Sequence, residues 1–136
     1  MRSVAVVVIL AGCSPPGPDP AQLALGKKLY AQHCAACHGA NLEGQPNWQK
    51  RLPNGRMPAP PHDDNGHTWH HPDPVLFGIT KHGLVPPYAP KGHESDMPAF
   101  AGTLSDAEIR AVLAFIESRW SDRVRKLRAE MLRNRG

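Results

Sequence analysis

Five consecutive residues, Cys34-Ala35-Ala36-Cys37-His38, hold two thiols and an imidazole at a spacing that suits one particular chemistry. Thiols one helical turn apart can add to the two vinyl groups of a haem, leaving two thioether bonds. The adjacent imidazole of His38 then lies beneath the ring, where one of its nitrogens binds iron as the proximal ligand. Ala35 and Ala36 are small and helix-compatible, so nothing between the thiols obstructs a flat ring. Three other chemistries use the same residue types. A thioredoxin-like redox pair requires a βαβ surrounding, and no such pattern is visible. A structural zinc site requires four ligands; with no second C-x-x-C, His67 and His70 would have to complete a Cys2His2 set. A plain disulfide between Cys34 and Cys37 leaves His38 without a role. The pattern predicts one covalently attached haem c, with Cys34 and Cys37 binding the ring and His38 the iron.

The first residues supply a compartment. Arg2 forms a short charged region, residues 4–10 are apolar, and Leu10-Ala11-Gly12-Cys13 comes next. The apolar run is too short for a membrane-spanning helix and reads as an export signal over residues 1–12. Leu-Ala-Gly-Cys resembles the bacterial lipobox, after which the signal is cleaved and Cys13 carries a thioether-linked diacylglycerol. The plainer alternative is an ordinary signal peptide with a stray cysteine. Among the 3 cysteines, Cys13 then takes lipid while Cys34 and Cys37 take haem, so no odd thiol is left in an oxidising compartment. The expected location is extracytoplasmic and membrane-anchored.

The chain beyond the signal suffices for one small domain. Residues 13–18 read as the lipidated cysteine and a semi-rigid Pro-rich tether, 19–120 as the domain, and 121–136 as a basic helical tail. The 15 prolines and 12 glycines mark a loop-rich fold without reaching the level of disorder. A core of this size is modest, and a haem would supply much of the missing apolar volume. The net charge is +4, with basic residues concentrated over 119–135.

Helix signals appear in three places. Asp19-Pro20 opens a first helix as N-cap and first helical residue, with Leu23, Leu25, Leu29 and Tyr30 running up to the C-x-x-C-H motif. Gly26 inside it costs about 1 kcal/mol against Ala, which suggests a close helix crossing. Asp73-Pro74 repeats the start signal and Gly83 supplies a stop, with Val75, Leu76 and Ile79 on one face. Ser105-Asp106-Ala107-Glu108 is a capping box, flanked by a Leu104/Ile109 staple and continued by Val112, Leu113, Phe115 and Ile116 at helical spacing. Past Trp120 no Gly or Pro interrupts the chain before its last residue, so the helix is expected to continue, with Val124, Leu127 and Met131 as a thin apolar stripe. No period-two strand is visible, and the predicted fold class is all-α.

This order of parts (helix, C-x-x-C-H, long loops, short helix, Met-Pro, terminal helix) resembles a class I monohaem cytochrome c over roughly residues 19–120. The resemblance implies crossed N- and C-terminal helices, with Gly26 and Tyr30 against Val112 and Phe115, and haem-wrapping loops. It implies electron transfer without enzymatic turnover. It also implies Met97, in Met97-Pro98-Ala99-Phe100, as the second axial ligand; Met57, His67, His70, His71 and His93 are alternatives. A liganding histidine usually donates its other N–H to a carbonyl, and the resemblance implies Pro46 as that acceptor. It also suggests that the Trp69 indole reaches a haem propionate, the alternative being simple packing. Trp48 and Trp120 read as packing. In residues 62–71, imidazoles beside carboxylates would suit copper or zinc, although a solvated polar loop covering one haem edge explains them as well. Lys27, Lys28, Lys50, Lys81 and Lys91 could steer an acidic redox partner. The expected partners are redox proteins and, through Cys13, a membrane. No nucleic-acid partner is expected, and the oligomeric state is open.

Overall fold

The computed structural model describes residues 17–135. The export signal, Cys13 and the first part of the tether lie outside the described residues, as does Gly136. Among the described residues five α-helices succeed one another: α1 (Pro20–His33), α2 (Ala35–His38), α3 (Asp73–His82), α4 (Asp106–Ser118) and α5 (Asp122–Arg133), with a 3-10 turn at Thr68–His70. No strand occurs among the described residues, so the architecture is all-α.

Helix α1 starts as its sequence dictates. The Asp19 carboxylate accepts the Ala21 N–H at 3.0 Å, and Pro20 takes the first turn, where its missing N–H costs nothing. α1 makes its most extensive contact with α4. The approach is so close that a Cβ on Gly26 would sit 1.9 Å from the Ala111 carbonyl oxygen and 2.9 Å from Phe115 Cβ. One turn later the rings of Tyr30 and Phe115 meet at 5.5 Å. The crossing is the expected one, and the backbone nearest Gly26 is that of Ala111. Val112 instead joins Leu29, Tyr30, Ile109, Ile116 and Trp120 in the buried core.

At the start of α4 the capping box is reciprocal. Glu108 N–H donates to Ser105 Oγ at 3.3 Å, and Ser105 N–H donates to the Glu108 carboxylate at 2.8 Å. Leu104 and Ile109 are both buried in the core.

Two boundaries differ from expectation. Pro72, not Asp73, occupies the N-cap of α3 and makes no side-chain cap. The Asp73 carboxylate is taken by the Arg128 guanidinium instead. At the other end α4 does not run on. It stops at Ser118, and Ser121 caps a new helix by accepting Val124 N–H at 3.3 Å. The break is explained by Trp120, which is 3 % exposed and donates its indole N–H to the His62 carbonyl at 2.8 Å. Turning there lets α5 fold back onto the 3-10 turn. Val124 is fully buried and Arg128 only 4 % exposed, while Leu127, expected in the apolar stripe, faces outward at 40 %. The basic segment is thus an integral helix of the fold and not a solvated extension of α4.

Gly26→Ala is expected to lower holoprotein stability by about 1–3 kcal/mol, the cost of overpacking a tight contact. The intrinsic helix preference of Ala opposes this but cannot remove a backbone oxygen from the path of the new methyl. Thermal unfolding of wild type and variant checks the sign; an unchanged or raised Tm would mean the helices separate freely.

Candidate functional site

A cavity of about 310 Å³ opens between the end of α1, the α2 turn, α3, α4 and the loops over residues 45–71 and 93–98. That volume lies at the lower end of the range typical of small-molecule and cofactor sites. Its walls are largely aliphatic and aromatic. Leu76, Ile79, Val112, Leu113 and Ile116 face it from the helices, so it is continuous with the core. Cys34, Cys37 and His38 line one part of it. The two cysteines are not joined by a disulfide. Burial, and after it the neighbouring Cys37, pushes the Cys34 thiol up to about 11, so it is a neutral thiol at physiological pH.

His38 is 7 % exposed, and its Nδ1 lies 2.8 Å from the Pro60 carbonyl oxygen. A carbonyl only accepts, so the proton is on Nδ1 and the lone pair is on Nε2. Burial lowers the pKa of this imidazole, against the opposing effect of the Pro60 hydrogen bond, and favours the neutral ring. A neutral imidazole with one nitrogen oriented by a carbonyl is the form that binds a metal. The resemblance had implied Pro46 as that acceptor. The structure corrects this: Pro46 is exposed, and Pro60 provides the carbonyl.

The reason lies in how two distant loops pair. After His38 the chain turns at Gly39 and Gly44, both with positive φ (84° and 68°). Residues 42–45 then run beside 59–63. Gln45 N–H donates to the Ala59 carbonyl at 2.9 Å, and His62 N–H donates to the Leu42 carbonyl at 2.8 Å. Pro61 is clamped from both sides. A Cβ on Gly44 would lie 2.4 Å from Pro61 N, and one on Gly66 would lie 2.0 Å from the Pro61 carbonyl oxygen. Two prolines held between two glycines leave the Pro60 carbonyl little freedom to turn away.

Both methionine candidates reach the same cavity. Met97 is half-buried and packs against the core, whereas Met57 is 37 % exposed. The Met97 loop is anchored to the end of α3, where Phe100 and Ala101 N–H groups donate to the Thr80 and Lys81 carbonyls at 3.1 and 3.0 Å. The two Met-Pro loops are also tied together, because the Arg56 guanidinium pairs with Asp96 and lies 3.7 Å from Glu94.

The aromatic assignments change places. Trp69 donates its indole N–H to the Asp64 carbonyl at 3.3 Å and stacks on His70 at 3.6 Å, and it does not line the cavity. The suggested propionate contact from Trp69 is therefore corrected to packing. Trp48, read as packing, lines the cavity and stacks on His67 at 5.3 Å. No periodicity marks Trp48 for this role, because it sits in an irregular loop.

Of the histidines weighed as alternative ligands, His67, His71 and His93 line the cavity and His70 does not. His62, which the sequence offers only as part of the polar 62–71 segment, stacks on His38 at 3.9 Å and shares a 2.7 Å hydrogen bond between its Nδ1 and Thr68 Oγ1. Burial drives its pKa down to about 3, with His38 and His67 as further causes. No group of three or more His, Cys, Asp or Glu able to hold a metal ion forms among the described residues. That leaves neither a second metal in the 62–71 segment nor a zinc set with Cys34 and Cys37 supported by the geometry. The residues present do fit a haem: free thiols, an oriented neutral imidazole and a thioether border one apolar cavity.

The cytochrome c family matches residues 23–120 of this chain. Among curated proteins, the cbb3-type cytochrome c oxidase subunit FixP of Rhizobium etli is 28 % identical over 102 residues, covering 72 % of this chain and 32 % of that protein. The chain thus spans about a third of the length of that relative. No solved structure matches the chain.

Gly66→Ala is expected to displace the Pro60-Pro61 segment and lengthen the His38 to Pro60 hydrogen bond, at a stability cost of about 1–3 kcal/mol. The checks are the NMR resonance of the His38 Nδ1 proton and thermal unfolding. An unmoved resonance would show that the clamp does not orient His38.

Proposed function

Because this chain belongs to the cytochrome c family, which transfers electrons through a covalently bound haem c, we propose that it is a membrane-tethered, single-haem electron carrier outside the cytoplasm. In this reading Cys34 and Cys37 bind the ring, His38 and Met97 hold the iron, and Cys13 carries the lipid anchor. When bound, the haem supplies one-electron exchange between ferric and ferrous iron. The observation that carries the proposal is the convergence of an oriented, neutral His38 and a half-buried Met97 on one apolar cavity.

The chain's own residues account for the rest. Pro60 holds the His38 ring in the tautomer that leaves Nε2 free. A thioether at Met97 is soft and neutral, which favours the ferrous state and raises the potential. The aliphatic walls from α3 and α4 exclude water, and low solvent access tunes the potential as well. With His38 and Met97 both holding the iron, no coordination site would be left for a substrate, which would suit a carrier. Lys81 is committed to Asp106 at 2.7 Å, so partner steering would fall to Lys27, Lys28, Lys50 and Lys91, all exposed. The tether and location rest on the sequence over residues 1–13 alone. No helix among the described residues is long and apolar enough to cross a membrane.

A second reading draws on the FixP relative, which is an oxidase subunit. The chain would then work as the haem subunit of a larger complex. Transient electrostatic encounters dissolve at high salt, so a partner that co-purifies there favours this reading over a free carrier.

Optical spectra of oxidised and reduced protein, from a host that matures c-type cytochromes, test the axial pair. Met97→His is expected to keep six-coordinate iron and lower its potential, and Met57→Leu to leave the weak methionine-to-iron charge-transfer band intact. Loss of that band in Met57→Leu and not in a Met97 variant would reverse the assignment. Rapid carbon monoxide binding by the reduced wild type at neutral pH would refute a filled sixth position.

Cys13→Ser is expected to release the exported holoprotein into the soluble fraction with its spectrum unchanged. Continued retention by membranes would show that something other than lipid holds it.

A further inference from the structure

A haem brings two carboxylates as well as iron, and carboxylates that approach a protein wall are costly unless a donor meets them. We propose that His67 and His71, with the indole of Trp48, form the seat for the haem carboxylates in this chain. The inference rests on the haem-binding reading above and concerns a different part of the same cavity.

Three observations carry it. The first is adjacency: the Trp48 and His67 rings stack at 5.3 Å, and His67 meets His71 edge-on at 5.4 Å, all three lining the cavity. The second is availability. Trp69 and Trp120 spend their indole N–H groups on the Asp64 and His62 carbonyls, and His62 is engaged with Thr68. Among the described residues no hydrogen bond engages the indole N–H of Trp48 or the ring nitrogens of His67 and His71. The carboxylates on the cavity wall, Glu94 and Asp96, lie by contrast with Arg56 and would repel a further anion.

The third is the local field. Arg128 of α5 donates to the carbonyls of Trp69 and His71, and Arg135, just beyond the end of α5, to that of His70, so two guanidinium groups lie behind this wall. Asp73 pairs with Arg128 from the start of α3. Partial enclosure is the first cause that lowers the pKa of His71, ahead of repulsion from His67, His70, Arg135 and Arg128. His67, though exposed as a residue, is lowered by enclosure of its ring and then by His70. Enclosure keeps both imidazoles neutral, so each can offer a ring N–H as a donor, and the guanidinium groups behind them favour an anion in front.

The test uses mature holoproteins: wild type, His67→Phe with His71→Phe singly and together, the His67→Gln/His71→Gln pair, and His70→Phe. His70 adjoins both histidines but does not line the cavity. Resonance Raman propionate-bending modes and the midpoint potential are read, after mass analysis of the denatured chain has verified covalent haem. The Phe variants should shift the bending modes and lower the potential, because unscreened carboxylates stabilise ferric iron. The Gln pair, which keeps amide donors, should stay near wild type, and His70→Phe should not move either readout. If loading fails in the Phe pair, the single Phe variants carry the comparison. Unmoved modes and potential in the Phe variants, or an equal shift in His70→Phe, would overturn the seat while leaving the cofactor assignment intact. A wild-type chain without covalent haem would instead overturn the cofactor assignment itself.

Discussion

The hydrogen bond from His38 Nδ1 to the Pro60 carbonyl joins the part of the chain that carries the motif to the part that encloses it. It does more than add one bond's worth of stability. By occupying Nδ1 it settles the tautomer, leaves Nε2 as the free lone pair, and fixes the ring plane. That carbonyl stays aimed because Pro61 is pressed between Gly44 and Gly66, positions where no larger residue fits. The 42–45 and 59–63 segments therefore have to pair for the motif to be useful. A C-x-x-C-H turn without that partner would present an imidazole free to rotate and to protonate.

A second dependence runs through the helices. α1 must come within contact distance of the α4 backbone for Tyr30 and Phe115 to meet, and only Gly26 permits it. That crossing turns Val112 and Ile116 toward both the core and the cavity. Core and cavity thus share walls, and a bound haem completes the packing of a chain too small to build a large core alone.

The end of the chain contributes a constraint of its own. Arg128 is buried almost completely, lies 5.2 Å from the Trp120 ring, and donates to the carbonyls of the turn that carries His67 to His71. A buried guanidinium is tolerable because its donors are satisfied and Asp73 balances its charge. α5 thereby braces the histidine-rich wall from behind.

The features that the sequence determined by itself were local. The C-x-x-C-H spacing, the Asp19-Pro20 start, the Ser105/Glu108 box, the Gly83 stop and the helical stripe of α4 each lie within a few residues, and their physics is complete at that range. The close crossing announced by Gly26 was legible too, since a glycine in a helix needs a reason. The tertiary structure decided everything that depends on two distant segments meeting. Pro60 and not Pro46 faces His38, because the loop after the motif folds back on residues 59–63. Trp48 replaces Trp69 at the cavity, because Asp64 claims the Trp69 indole. The basic segment breaks at Ser121 and docks, because burying Trp120 and Arg128 against the 62–73 region outweighs continuing a straight helix into solvent. Hydrogen-bond partners of side chains in irregular loops obey no sequence period, so only the folded chain can assign them.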